Sequence, residues 1–382
     1  MKKVLVAQYG CGKMSEYLMR YVYENGGQIV AAFDVDETII GKDIGEIMGI
    51  SPKKVKVEHV RYAAERLGEK KPNVCLIATK SLLRDVEDAF RICAEQGVNA
   101  LSLCEEAFYP WNSSPHIAES LDRLAKENDC TLTGTGYQDI FWCNLITTIA
   151  GACDKMTKVK GISSYNVEDY GIALARAHGV GLTEKEFKEK IAAANEVTED
   201  ERQRKIEEGD FFPAYMWNVN GWLAAEWRLE IKSQIQTCIP QIAKQDMESQ
   251  TLGMTVSKGH VAGMSARVVT ETKEGIVLET ECIGKLYAQG ECDVNDWTIY
   301  GEPETRVVIE RPHTVELTCA TMVNRIPDII NAEPGYVTTN WLPVNRFRPH
   351  PLAHYVEDEE NDFPIYFQQG QPHFCDVNGV CH

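Results

Sequence analysis

The feature that most constrains this chain lies at its start. A short apolar run, Val4–Gln8, leads into Gly10-Cys11-Gly12-Lys13-Met14-Ser15, then an amphipathic stretch, a second apolar run and the acid Asp34. A parallel α/β domain that holds a dinucleotide needs this arrangement where its first strand turns into its first helix. One glycine permits the tight turn, and the other lets backbone approach a pyrophosphate seated at the helix N-terminus. Ser15 stands at the third glycine position and is small enough for close helix–strand packing. Two glycines alone mean little; placed between a strand and a helix, they carry a specific expectation. Asp34 can accept hydrogen bonds from both hydroxyls of an adenosine ribose and repel a 2′-phosphate, which favours NAD. Lys42 is near enough in sequence to leave NADP open, and without the glycines Asp34 would simply end a strand. The candidate cofactor contacts are Gly10, Cys11, Gly12, Lys13, Met14 and Asp34, joined by Ala78, Thr79 and Lys80 beyond a later strand. Ser81, next in line, would serve equally as a helix N-cap.

The rest of the chain extends this beginning. Apolar runs at Lys3–Gln8, Gln28–Phe33, Asn73–Ala78, Asn99–Leu103 and Thr131–Thr133 alternate with amphipathic stretches at Lys13–Glu24, Ser81–Gln96 and Pro115–Asn128. That alternation predicts an α/β fold with a doubly wound (Rossmann) parallel sheet. Beyond residue 138 the texture changes to a helix over Gln138–Cys153, a strand over Val159–Val167 and a Lys/Glu/Ala-rich helix over Glu184–Glu208, with Thr183 and Glu186 as a capping box. Trp217–Glu230 and Lys232–Met247 read as further helical cover. His260–Thr272 and Ile276–Tyr287 flank a turn at Lys273-Glu274-Gly275, and Trp297–Gly301 and Thr305–Arg311 add two strands. This block predicts an α+β second domain with a mostly antiparallel sheet. Thr314–Asn331 reads as a helix kinked or ended near Pro327. The predicted domains are 1–137, with 314–382 returning to it, for the dinucleotide, and 138–313 for substrate and dimerisation.

Composition narrows the function classes. A chain of 382 residues can bury two cores, and a formal charge of −18 argues against nucleic acid, whose phosphates need a cationic surface. It suits small neutral or cationic partners. No apolar stretch reaches membrane-spanning length, no export signal is apparent, and thirteen cysteines lie scattered without a CxxC pair. The expectation is a cytoplasmic protein with reduced thiols. His373, Cys375, Cys381 and His382 lack the spacing of a zinc site, so no metal is expected.

Chemistry is expected past the fifth strand, Ala100–Leu103, which ends in Cys104-Glu105-Glu106-Ala107-Phe108-Tyr109-Pro110-Trp111. Ligands of open α/β sheets bind beyond the carboxyl ends of strands. Two adjacent carboxylates beside Phe, Tyr and Trp would be partly desolvated, raising one toward neutrality as a general base. A solvated strand-end pair or a helix cap is the plainer reading of the same residues.

The segments YGCGKM, CEEAFYPW and VNRIPDIINAEPG together resemble the 2,4-diaminopentanoate dehydrogenases and their relatives the native amine dehydrogenases, allied in fold to dihydrodipicolinate reductase. The resemblance implies NAD(P)-dependent oxidative deamination of a small amine or diamino acid, reversible as reductive amination. It implies Glu105 or Glu106 as the carboxylate that takes a proton from the substrate ammonium and then activates water, with Glu105, the first beyond the strand, preferred. Asn324 would meet the nicotinamide carboxamide, and Arg325 is more readily an ion pair between domains. Where those enzymes carry a Gly-Thr-Gly-Val-Asn-Pro-like run, this chain has Gly134-Thr135-Gly136-Tyr137-Gln138-Asp139. Tyr137, Gln138 and Asp139 are therefore candidate substrate contacts, Asp139 either holding a second amine or capping a helix. Tyr170 and His178 are further candidates, although a lone histidine beside a glycine loop is more often structural. A dihydrodipicolinate-reductase-like imine reductase is disfavoured because its His-His-x-x-Lys run is absent. A dinucleotide-binding sensor is disfavoured by the acidic–aromatic cluster. Family and architecture imply a homodimer.

Overall fold

The computed structural model describes residues 3–357, so His373, Cys375, Cys381 and His382 lie outside the described residues. Strands β1 (Leu5–Tyr9), β2 (Gln28–Asp34), β3 (Val57–His59), β4 (Val74–Ile77), β5 (Asn99–Ser102) and β6 (Thr131–Gly134) form a parallel sheet in the order β3-β2-β1-β4-β5-β6. Their continuous apolar character follows from cover on both faces; all four residues of β4, Val-Cys-Leu-Ile, are buried. The chain reverses its direction of winding between β1 and β4. That switch point opens a crevice at their carboxyl ends, where Gly10 and Ala78 sit.

Helices Ala63–Lys70, Leu83–Glu95 and Pro115–Glu127 cover one face of this sheet, burying Leu67, Phe90 and Leu121. The opposite face is shared by the first helix, Lys13–Glu24, and the helix Thr314–Ile330, which inserts Cys319, Met322, Ile326 and Ile329 beside Leu18, Met19 and Val22. Pro327 does not end this late helix, which runs on to Ile330.

The second sheet is built from β7 (Lys155–Asn166), β8 (Ile231–Ile242), β11 (Val261–Thr272), β12 (Val277–Lys285), β13 (Val294–Glu302) and β14 (Thr305–Glu310), with β9 (Met247–Ser249) and β10 (Met254–Val256) forming a separate ribbon. Its order is β14-β13-β7-β12-β11-β8, antiparallel throughout except for the parallel β7–β12 pair. The inner face buries Val159, Val268, Leu278 and Trp297 against Trp217, Trp222 and Leu223 of the helix Tyr215–Glu226. A last short strand, β15 (Gly335–Tyr336), returns to the first sheet and pairs with β6.

Two local expectations are corrected. Residues 232–242 belong to β8, not a helix. Its buried face carries Gln234, Gln236 and Cys238, while Ile235 and Ile239 face outward, so the alternation is inverted in polarity. The buried glutamines are satisfied: Gln234 Nε2 donates to the Trp217 carbonyl (2.9 Å) and Gln236 Nε2 to that of Phe212 (3.0 Å). The Glu184–Glu208 stretch is broken between Asn195 and Glu199, and Thr198 caps its second part. The capping box at Thr183 and Glu186 is present as read. β3 had no distinct sequence signal, being only three residues long.

Candidate active site

At the switch point the glycine turn has a strict geometry. Gly10 adopts φ +89°, and a Cβ there would fall 2.4 Å from the Ala78 carbonyl oxygen and 2.6 Å from Thr79 Cγ2. Only glycine lets the β1 turn press against the end of β4 in this way. Gly12 is the reverse case: a Cβ at that position would meet nothing within 4 Å. It opens the first helix without a side-chain cap, so the helix presents its N-terminus and its partial positive charge to open space. Asp34 closes the arrangement: its carboxylate accepts from the amides of Cys11 (2.6 Å), Val35 (2.7 Å) and Asp36 (2.9 Å). A backbone cradle with an open glycine, an uncapped helix end and a fixed carboxylate fits a dinucleotide's pyrophosphate and ribose. Lys13 reaches across the crevice, its ammonium 2.5 Å from the Asp169 carbonyl oxygen.

Beyond this turn lies a cavity of about 310 Å³. Its floor is Met14, Ala78, Thr79, Lys80 and Ser81 from the dinucleotide half, and its far wall includes Tyr165, Tyr170 and Tyr215 from the other. Glu105, Tyr137, Gln138 and Trp142 line it between these. The phenol oxygen of Tyr137 and the indole nitrogen of Trp142 are both buried without a partner. In a folded protein such groups are normally satisfied, so two orphaned polar groups on one cavity wall point to a ligand that completes them.

The two carboxylates after β5 have separated roles. Glu106 points away from the cavity and is saturated: it accepts from the Leu83 amide (2.8 Å) and from the hydroxyls of Ser113 (2.7 Å) and Ser114 (2.6 Å). It ties the β5 turn to two neighbouring helix starts. Glu105 faces the cavity, and burial pushes its carboxyl up from its ordinary 4.5 to about 7, partly offset by the Ser81 hydroxyl. Desolvation, rather than repulsion from Glu106, is the leading cause. A carboxyl poised near neutrality at a cavity wall can both accept and return a proton.

Among the other predicted positions, Tyr137, Gln138 and Tyr170 line the cavity, while Asp139, His178 and Asn324 do not. Asp139 is fully buried, gripped by Arg325 through Nε (2.8 Å) and Nη2 (3.0 Å), and its remaining valences are taken by Thr135 and Asn144. The ion pair continues through Asp328 to Arg348. Asp139 thus anchors the Tyr137–Gln138 turn to the late helix, at the start of a π-helical turn over Asp139–Asn144. His178 lies behind the wall, its Nε2 2.6 Å from the Tyr165 hydroxyl. Asn324 offers its carbonyl to Arg348 (3.4 Å). Sequence reasoning missed Trp142 and Tyr215, inside apolar runs, and Tyr165, on a strand; their only distinguishing signal is a polar atom on a large ring.

Residues 220–357 match the family described as 2,4-diaminopentanoate dehydrogenase C-terminal domain. The amine dehydrogenase from Mycobacterium smegmatis superposes with a TM-score of 0.82 at 39% identity, covering 91% of this chain and 98% of that one. The chain belongs to the family of amine and 2,4-diaminopentanoate dehydrogenases. Consistent with that membership, a 2,4-diaminopentanoate dehydrogenase of Acetoanaerobium sticklandii is 25% identical over 362 residues, 91% of this chain and 95% of the relative. A probable dehydrogenase from Thermotoga maritima shares the fold at a TM-score of 0.54 and 10% identity, over 88% of this chain and 92% of that one. The family's dehydrogenase character agrees with a cavity that joins a dinucleotide cradle to a poised carboxyl.

Proposed function

We propose that this family member is a nicotinamide-dinucleotide-dependent amine dehydrogenase, with Glu105 as its general base. The observation that carries the reading is Glu105 itself: a buried carboxyl held near neutrality on the wall between the cofactor cradle and the orphaned polar groups of Tyr137 and Trp142. A bound nicotinamide would supply the hydride acceptor. Glu105 takes a proton from the substrate ammonium, leaving an amine that can release its α-hydrogen as hydride. After that transfer Glu105 draws a proton from the water that attacks the iminium carbon. Tyr137 and Trp142 are placed to donate to that water and to the ketone oxygen it becomes, while Gln138 and Tyr170 complete the substrate side. Glu106 takes no part in this chemistry, because its oxygens are already occupied.

Cofactor choice follows from Asp34. Gly10, Cys11, Gly12, Lys13 and Met14 would hold the pyrophosphate, Ala78, Thr79 and Lys80 would flank the nicotinamide ribose, and the Asp34 carboxylate would favour NAD over NADP. Charge composition bears on substrate. Among the lining residues Glu105 is the only acid and Lys80 the only base. A 2,4-diamino acid would bring a second ammonium, and Asp139, the acid nearest in sequence to the substrate wall, is committed to Arg325. The cavity therefore favours a monoamine with an uncharged remainder. The sheet face carrying Ile235, Ile239 and Val308 stands open, which supports a homodimer, and the free and mostly buried cysteines suit a cytoplasmic setting. Measuring NADH formation with simple primary amines borne on a secondary carbon and with 2,4-diaminopentanoate tests the reading. Turnover of the amines that is lost in Glu105→Gln and kept in Glu106→Gln is expected; unchanged turnover in Glu105→Gln refutes it.

A further inference from the structure

The hydroxyls of the cavity wall do not stop at the cavity. Glu105 engages the Ser81 hydroxyl. The phenol of Tyr215, which also lines the cavity, engages both Ser81 and Tyr165. The Tyr165 oxygen in turn lies 2.6 Å from His178 Nε2, and His178 Nδ1 lies 2.9 Å from the Leu174 carbonyl oxygen. Because Nδ1 must donate to that carbonyl, Nε2 of the neutral ring is an acceptor. Five side chains from five separate segments thus form one line from the carboxyl to a buried imidazole. β12 leaves room for it with Gly284, where a Cβ would come within 2.6 Å of both the Tyr165 oxygen and the His178 ring.

We propose that Ser81, Tyr215, Tyr165 and His178 form a proton relay that empties Glu105 between the two halves of each deamination. The inference rests on the amine dehydrogenase reading. The overall reaction turns a substrate ammonium, NAD⁺ and water into a ketone, ammonium ion, NADH and one proton, so one proton must leave the site in every turnover. Glu105 cannot activate water while it still holds the proton taken from the substrate, and a filled cavity denies it solvent. In the relay the Glu105 proton passes to Ser81, that of Ser81 to Tyr215, that of Tyr215 to Tyr165 and that of Tyr165 to His178 Nε2. Four bonds to hydrogen break and four form, leaving a carboxylate and an imidazolium. His178 retains 6% of its surface toward solvent, and turning its ring away from Tyr165 carries the Nε2 proton to water. Burial holds the imidazole below its ordinary pKa, so it releases the proton readily rather than storing it. His178 and Tyr165 act through Glu105 and are positioning residues, not catalytic ones.

The test is stopped-flow absorbance of NADH with the full chain, excess NAD and a saturating amine. Tyr165→Phe and Tyr215→Phe each remove one oxygen and keep the ring. Each is expected to preserve the first-turnover rate within about twofold and to slow steady turnover by about tenfold or more, giving a burst near one NADH per site. The double variant should be no slower than either single one, since a line cut once is already cut. Ser81→Ala cuts the same line nearer Glu105 and should reproduce the burst. Equal slowing of both phases, additive losses in the double variant, or no change overturns the relay alone. Absence of amine-dependent NADH formation in the wild-type protein overturns the function reading and the relay with it.

Discussion

The Glu105 carboxyl should make the whole protein less stable as pH rises, and its removal should abolish that loss. In the folded chain its pKa stands at about 7 against an ordinary 4.5, with burial as the main cause. Between those values the folded state binds a proton that the unfolded chain has released. Stability from this group is therefore fully present below about 4.5 and is lost as pH rises through about 7. At about 1.4 kcal/mol per pH unit, the difference amounts to about 3 kcal/mol by pH 8. Glu105→Gln keeps the shape and the polar contact to Ser81 while removing the charge. Urea unfolding of both proteins, followed by tryptophan fluorescence from pH 5 to pH 8.5, should show the variant gaining on the wild type by about 2.5 kcal/mol across that range. The gain should accompany loss of turnover, a trade in which the carboxyl serves the reaction at the expense of the fold. Parallel stability curves would show that Glu105 is solvated, and the poised-base argument would fail with them.

Other outcomes follow from the same geometry. The kcat/KM for amine oxidation should rise with pH through about 7 while that for reductive amination falls, because one direction needs Glu105 ionised and the other protonated; pH profiles in both directions check this. Asp139→Asn should destabilise the fold by about 3–5 kcal/mol by leaving the Arg325 guanidinium uncompensated, and Asp139→Leu combined with Arg325→Met should recover part of that loss in urea unfolding. Gly12→Ala should fold within about 1 kcal/mol of wild type yet weaken NAD binding by calorimetry, since its methyl enters the open cradle. Gly10→Ala should fail in both respects, because its methyl meets the Ala78 carbonyl.

What the sequence made legible was local and periodic. The strands around Gly10 and Asp34 announce themselves because a buried parallel sheet writes its strands as apolar runs and its helices as amphipathic ones. β8 stayed hidden because its buried face carries Gln234 and Gln236, which are satisfied mainly by the backbone of residues 212–217, distant from them in the local pattern. In the site, the position of the Glu105–Glu106 pair was readable, but their division was not. It depends on Ser113 and Ser114 folding back onto Glu106. Asp139 looked like a substrate contact because an acid past a strand end usually faces the crevice; its partner Arg325 lies 186 residues away. Tyr165, Tyr215 and His178 meet only through tertiary packing, for which adjacent sequence holds no signal.

The late helix has a consequence for how the chain is made. Cys319, Met322, Ile326 and Ile329 cover one face of a sheet whose sixth strand ends at Gly134. A ribosome adding roughly 5–20 residues per second needs about 10–35 s to travel from there to the helix. For that interval the dinucleotide half has every strand but its last and lacks half of its roof. The apolar patch around Leu76 and Leu101 is then available to chaperones or to a neighbouring nascent chain. Expression at a slower elongation rate, or a stop codon before residue 314, should thus favour aggregation over a stable isolated N-terminal domain.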